Sequence, residues 1–166
     1  KKNKASIYSC GPTVYNYAHI GNLRTYVFMD VLRRILQYCG YEVTSVMNIT
    51  DVGHLLSDRD TGDDKMVKAA KEQNKTPEEI AQYYTSIFFK DIERLNILCP
   101  QFTPKATEHI AEMIEVVKAL LDKGFAYETA DGIYFDISKF PNYGKLSRAN
   151  LEEQLAGARV NVNTGK

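Results

Sequence analysis

Hydrophobic and polar positions switch period twice within the first fifty residues. Ala5 to Ser9 is a short run containing Ile7 and Tyr8, residue types that suit a pleated, half-buried strand. From Leu23 the spacing becomes helical, with Val27, Val31, Leu32, Ile35 and Cys39 on the predicted buried stripe and Gly40 placed as the stop. Glu42 to Ile49 returns to strand character. Strand, helix and strand within about 45 residues predict a βαβ unit of a parallel sheet, joined by a right-handed crossover. Ligands of such sheets bind at the carboxyl ends of the strands, and Cys10 and Thr50-Asp51 both fall there.

Further along, Asp51 to Asp64 is rich in Asp and Gly and reads as a loop. Thr76-Pro77-Glu78-Glu79 predicts a helix start, with Thr76 as cap, Pro77 in the first turn and Glu79 closing a capping box. Ile80, Tyr83, Tyr84, Ile87, Phe88, Ile92 and Leu95 mark the buried face of that helix. A second helix is expected from about Thr107 to Lys123, its stripe formed by Ile110, Met113, Ile114, Val117, Leu120 and Leu121. From Phe125 the pattern shortens to strands and turns, at 125–129, 132–137 and 141–144. The predicted organisation is therefore α/β, with one domain at 1–124 and the start of another at 125–166.

Composition narrows the function classes. The chain has 166 residues, 44% apolar and 25% charged, as ordinary globular proteins do. Its 21 basic and 21 acidic residues cancel, which argues against a strong phosphate-backbone grip by this piece alone. No apolar run approaches a membrane span and no signal-peptide pattern opens the chain. The three cysteines, Cys10, Cys39 and Cys99, are widely spaced and odd in number, so a reducing, cytoplasmic setting is expected rather than a disulfide framework. Cys39 and Cys99 are expected to serve in packing.

The chemistry concentrates in Ser9-Cys10-Gly11-Pro12-Thr13-Val14-Tyr15 and, closely following, His19-Ile20-Gly21-Asn22. A glycine-containing turn between a strand and a helix start predicts a phosphate site, because the first helical N–H groups are unpaired and carry partial positive charge. His19 adds a side-chain donor at that place, with a core or capping histidine as the alternative reading. Gly11 and Gly21 would let the backbone approach a nucleotide, and Thr13 could bond a phosphate or substrate. Tyr15, Tyr17 and Tyr26 cluster around the motif, with packing around a pocket as the favoured reading over base stacking. The run from Asp58 to Asp64 fails the EF-hand test, since its sixth and twelfth positions are Asp63 and Ala69 rather than Gly and Glu.

The combined string resembles the cysteinyl-tRNA synthetases, a family of class I aminoacyl-tRNA synthetases whose signature runs Cys-Gly-x-Thr-Val-Tyr and then His-Ile-Gly-His. The likeness continues through Phe28-Met29-Asp30-Val31-Leu32, Gly40-Tyr41-Glu42-Val43, Asn48-Ile49-Thr50-Asp51 and Ala106-Thr107-Glu108-His109-Ile110. It resumes at Gly132-Ile133-Tyr134-Phe135-Asp136, Tyr143-Gly144-Lys145-Leu146-Ser147 and Gly157-Ala158-Arg159-Val160. The resemblance implies a Rossmann-like parallel-sheet nucleotide-binding half-domain with part of a connective-peptide insertion from Phe125. It implies an N-terminal fragment of a longer ligase, inactive alone, that activates cysteine with ATP and passes it to tRNA.

By the same resemblance, His19 and Asn22 are catalytic, and Gly11, Thr13, His19, Gly21 and Asn22 bind ATP, accompanied by Mg²⁺. Cys10 holds Zn²⁺, which meets the thiol of L-cysteine, and Thr50 lines the cysteine pocket. The other zinc ligands are expected outside this chain, as is most tRNA recognition. Asn22 departs from the family's second histidine and cannot carry its positive charge. Asp51 is expected either at the site or as a cap of the turn after it. Three alternatives stand beside this reading: the cysteine ligase of mycothiol synthesis, a nucleotidylyltransferase, and a non-catalytic ATP-binding fragment. No membrane partner is expected.

Overall fold

The computed structural model describes residues 3–52, 65–130 and 132–147. The run from Asp58 to Asp64 and the Gly157 to Val160 segment lie outside the described residues. The chain divides into two compact units: residues 1–54 with 63–109, and residues 55–62 with 110–166.

In the first unit, β1 (Lys4–Ser9) and β2 (Glu42–Met47) pair in parallel, Lys4 opposite Glu42 through Ser9 opposite Met47. They are joined by α1 (Ile20–Tyr38), which packs on both. This is the expected βαβ unit, with the helix starting three residues before Leu23. A third extended lane lies against β2, where Val46 bridges Phe102 and Ile49 bridges Lys105, both in parallel. The alternating apolar positions could not reveal it, because Pro100 and Pro104 remove backbone donors from that segment.

Two further helices complete the unit, α2 (Lys65–Gln73) and α3 (Pro77–Arg94). The α3 start is the one the sequence predicts. Thr76 Oγ1 accepts from the Glu79 N–H (3.2 Å), and Glu79 Oε2 accepts from the Thr76 N–H (2.8 Å). Along α3 the buried residues Ile80, Ala81, Tyr84, Phe88 and Ile92 join two core clusters. One holds Val14, Ile49, Ala69 and Ala70; the other holds Tyr26, Met47 and Ile97. Two of the expected core positions on α3 differ. Tyr83 and Leu95 are exposed, and Tyr83 lies under the Lys75 ammonium, 4.7 Å from the ring centroid.

The stripe on α1 departs further from expectation. Val27, Val31, Leu32, Ile35 and Cys39 are all exposed, and Tyr26 is the buried residue of the helix. The sheet meets α1 through the neighbouring face, which carries Tyr26, Leu23 and the Asp30 and Arg33 side chains. Asp30 Oδ1 accepts from the Leu98 N–H (2.9 Å), and Arg33 Nη1 donates to the carbonyls of Leu98 (3.2 Å) and Cys99 (2.9 Å).

In the second unit, α4 (Ile110–Asp122) follows a 3₁₀ turn at Ala106–His109 and packs against a hairpin of β3 (Ala126–Thr129) and β4 (Gly132–Phe135). Phe125 and Phe135 stack at 6.4 Å between ring centroids, and the Asp136 N–H donates to the Phe125 carbonyl. None of the α4 residues is fully buried, and Ile110, Met113 and Ile114 of its predicted stripe are exposed.

Candidate active site

The carboxyl ends of β1 and β2 are locked together by one side chain. Asn48 accepts from the Gly11 N–H through Oδ1 (3.0 Å) and donates from Nδ2 to Thr50 Oγ1 (3.0 Å). Backbone bonds reinforce the join: the Val14 N–H donates to the Thr50 carbonyl (3.1 Å), and the Thr50 N–H to the Pro12 carbonyl (3.0 Å). A side chain at Gly11 would overlap the Asn48 backbone carbonyl oxygen, so glycine is required there by contact with the end of β2. Cys10 stands exposed immediately before this junction. Because Thr50 Oγ1 accepts from Asn48, its own hydroxyl proton is left to donate elsewhere.

A second group forms a pocket of about 280 Å³. Its walls include Thr13, Tyr15, Tyr17, His19, Asn22 and Tyr26, with Tyr84 and Phe88 supplied by α3. The three tyrosines near the motif therefore do line one pocket, as expected from packing. Tyr17 and Tyr84 meet edge to face at 5.1 Å, and the Tyr17 hydroxyl lies 3.2 Å from that of Tyr83, a bond that holds the Tyr17 hydroxyl above its ordinary pKa. Burial, and secondarily the nearby Cys10 sulfur, push the Tyr26 hydroxyl up to about 12. Tyr26 is thus neutral through the physiological range.

His19 takes the capping role that stood as its alternative reading, and Asn22 answers it with a bond the sequence did not disclose. His19 is the cap of α1, extended at φ −97° and ψ 171°, and its Nδ1 accepts from the Gly21 N–H (3.1 Å). Asn22 Oδ1 in turn accepts from the His19 N–H (3.2 Å). The pair forms a reciprocal capping box in which a histidine takes the place usually held by Ser, Thr, Asp or Asn. Gly21 makes room for the ring, since a Cβ there would stand 2.9 Å from His19 Cε1.

The expectation of unpaired helical amides is corrected by the same geometry. The Gly21 N–H is taken by His19 Nδ1, and the N–H groups of Asn22 (2.9 Å) and Leu23 (3.0 Å) donate to the His19 carbonyl. An anion at this motif meets side-chain donors before it meets those amides.

The predicted residues thus divide into two neighbouring groups. Cys10, Gly11 and Thr50 gather at the strand ends, while Thr13, His19 and Asn22 line the pocket. A parallel bridge between Thr13 and Thr50 connects them. Gly21 shapes His19 rather than lining the pocket. Asp51 caps, but not the turn after it. Its Oδ1 accepts from the Thr107 N–H (3.0 Å) and its Oδ2 from the Thr107 hydroxyl (2.6 Å), at the start of the Ala106–His109 turn.

Cys39 and Cys99 are exposed instead of serving in packing: Cys39 caps the end of α1, and Cys99 contributes its carbonyl to Arg33. Asn48, which ties the two strand ends together, is a site residue that the family motif alone does not reveal. Its signal was a short amide two residues before a threonine at a strand end.

For zinc the donor set is incomplete. Cys10 offers one accessible sulfur, and the described residues contain no group of three or more His, Cys, Asp or Glu side chains that could hold an ion. Zinc sites need three or four such ligands. No helix among the described residues is long and apolar enough to cross a membrane.

Comparison with known proteins gives one answer in sequence and a compatible one in fold. The family model described as "tRNA synthetases class I (C) catalytic domain" matches residues 1–166. Proteins named cysteine–tRNA ligase match almost the whole chain. That of Treponema denticola is 56% identical over 99% of this chain and 34% of its own length. Those of Zymomonas mobilis and Methanococcus maripaludis are 48% and 42% identical, over 98% and 99% of this chain and 31% and 33% of their own. The chain therefore spans about a third of the length of these relatives.

Among solved structures, one described as an arginyl-tRNA synthetase from Campylobacter jejuni aligns with a TM-score of 0.57 at 14% identity, over 84% of this chain and 39% of that one. It supports the Rossmann-like α/β architecture and nothing finer. With a family match over residues 1–166 and relatives up to 56% identical across nearly the whole chain, the chain belongs to the class I (C) tRNA synthetase catalytic-domain family.

Proposed function

We propose that this chain is the N-terminal part of the catalytic region of a cytoplasmic cysteine–tRNA ligase. The observation that carries the reading is the identity of 42 to 56% with proteins of that name across nearly every residue. In the reaction, the carboxylate of L-cysteine attacks the α-phosphorus of ATP, forming cysteinyl-adenylate and expelling pyrophosphate with its Mg²⁺. A hydroxyl of the tRNA 3′-terminal ribose then attacks the cysteinyl carbonyl and releases AMP. Residues 125–166 begin the connective-peptide insertion in this reading, and tRNA identity is read mainly by the remainder of the ligase.

Negative charge grows on the non-bridging phosphoryl oxygens as the first bond forms, and fixed donors aimed at it lower the barrier. In the neutral ring, His19 Nδ1 is an acceptor, so the proton is on Nε2, which becomes the outward donor. Asn22, its Oδ1 engaged, presents its Nδ2 protons. Thr13 and the Thr50 hydroxyl supply further polar contacts to ATP and to the amino acid. Cys10 is one thiolate ligand of Zn²⁺, completed by residues outside this chain; bound there, zinc selects a thiol over a hydroxyl because it is a soft acceptor.

The test is cysteine-dependent ATP–pyrophosphate exchange by the full-length ligase, with serine as control. Exchange with cysteine alone, and none from residues 1–166 by themselves, is the expected result. A full-length protein silent with cysteine would overturn the substrate assignment and the role of Cys10. Exchange with cysteine followed by transfer to an amino-sugar acceptor, and none to tRNA, would favour the mycothiol-type ligase.

A further inference from the structure

We infer that Asn22 is a positioning residue for His19, holding the ring so that Nε2–H is its outward donor. The inference rests on the proposed role of His19 toward the α-phosphate, but its geometry stands independently of that role. Three observations converge. The first-turn amides of Gly21, Asn22 and Leu23 all have acceptors on His19, so the helix start offers an anion no donor from those three. The ring is held by its Nδ1 against the Gly21 N–H, and a flip that put Nε2 inward would break that bond. The residue carrying the ring is held by its own N–H against Asn22 Oδ1.

An N–H cannot donate to an NH₂ group, so this bond also fixes which way the Asn22 amide points. The oxygen turns to the backbone of His19 and the Nδ2 protons turn away from it. Asn22 is therefore more than a weakened substitute for a second histidine. It locks the first histidine and aims a neutral donor beside it. A larger ring at this position would reach the His19 N–H only with a nitrogen free of protons. Gly21 completes the device, because a Cβ there would press on the ring at Cε1.

The experiment is nuclear magnetic resonance on this chain, reading the His19 ring nitrogens and the Gly21 amide across the His19 titration. In the wild type the neutral ring carries its proton on Nε2, and the Gly21 amide shift follows the protonation of His19. Gly21 amide exchange is then slowed by about fivefold or more, the equilibrium worth of one ordinary hydrogen bond. Asn22→Asp keeps an acceptor for the His19 N–H and retains all three signatures. Asn22→Ala loses the Gly21 protection, and the coupling of its shift to His19 weakens.

Core signals from Phe88 and Ile92 report whether each variant is folded. A wild-type ring protonated on Nδ1 would overturn the inference. So would a folded N22A variant with unchanged Gly21 protection, or a folded N22D variant that loses it. If N22A does not fold, the wild-type tautomer and N22D decide alone. These readouts do not involve activity. Absent pyrophosphate exchange in the full-length ligase would remove the proposed function and leave the cap standing, whereas failed signatures with intact exchange would remove only this inference.

Discussion

Helices α1 and α3 carry apolar stripes of the same periodicity, yet only one is buried. On α3, Ile80 and Ile92 are 0% and 1% exposed, gripped between two core clusters. On α1, Val31 and Ile35 are 48% and 53% exposed, and Phe28 beside them is 67%. Spacing tells which residues of a helix want cover, because it records where apolar side chains line up along the helix. It does not tell what supplies the cover. Under the proposed function, the cover for α1 comes from the rest of the ligase, of which this chain spans about a third. Strand β1 agrees, pairing with β2 on one edge and leaving Tyr8 exposed.

The largest effects should come from breaking the covered stripe. Ile92→Ala or Ile80→Ala in this chain should cost about 2–5 kcal/mol by chemical denaturation, while Ile35→Ala should stay within about 0.5 kcal/mol. Equal losses on the two helices would end the contrast. Within α3 itself, Tyr84→Ala should destabilise by about 3 kcal/mol, and the exposed Tyr83→Ala by about 1 kcal/mol, since Tyr83 contributes only surface contacts, with Lys75, the Tyr84 ring and the Tyr17 hydroxyl. Removing the α3 cap with Thr76→Ala should cost about 1 kcal/mol, measured in the same way.

A smaller, pH-dependent effect belongs to Tyr26, the one α1 residue that the core covers. Its folded pKa is about 12 against an ordinary 10, so the unfolded chain loses this proton first. Stability is untouched by Tyr26 below about pH 10 and falls between about 10 and 12. Tyr26→Phe should flatten that part of the profile, as read from melting temperature against pH; an unchanged slope would place the alkaline loss elsewhere.

Local signals were the legible ones. Thr76, Pro77 and Glu79 announce a helix start because every partner of the cap lies within four residues. The βαβ unit was legible for a similar reason, each element having its own period. What escaped depended on distant or unusual partners. Asp51 finds Thr107 across 56 residues, and Asn48 finds Gly11 across 37. Helix α2 was missed because it follows directly on the Asp- and Gly-rich run that reads as a loop; its Ala69 and Ala70 join a core cluster. The His19 cap stood only as the lesser reading of that residue because histidine is a rare choice there, though Asn22 at the third helical position was in view.

The most direct test of the central claim, that α1 is a covered face of a longer nucleotide-binding catalytic domain, is hydrogen–deuterium exchange along α1 and α3 in this chain and in the full-length ligase. The account predicts that exchange along α1 slows by at least about tenfold in the full-length protein while α3 changes little. Equal exchange along α1 in both proteins would contradict it.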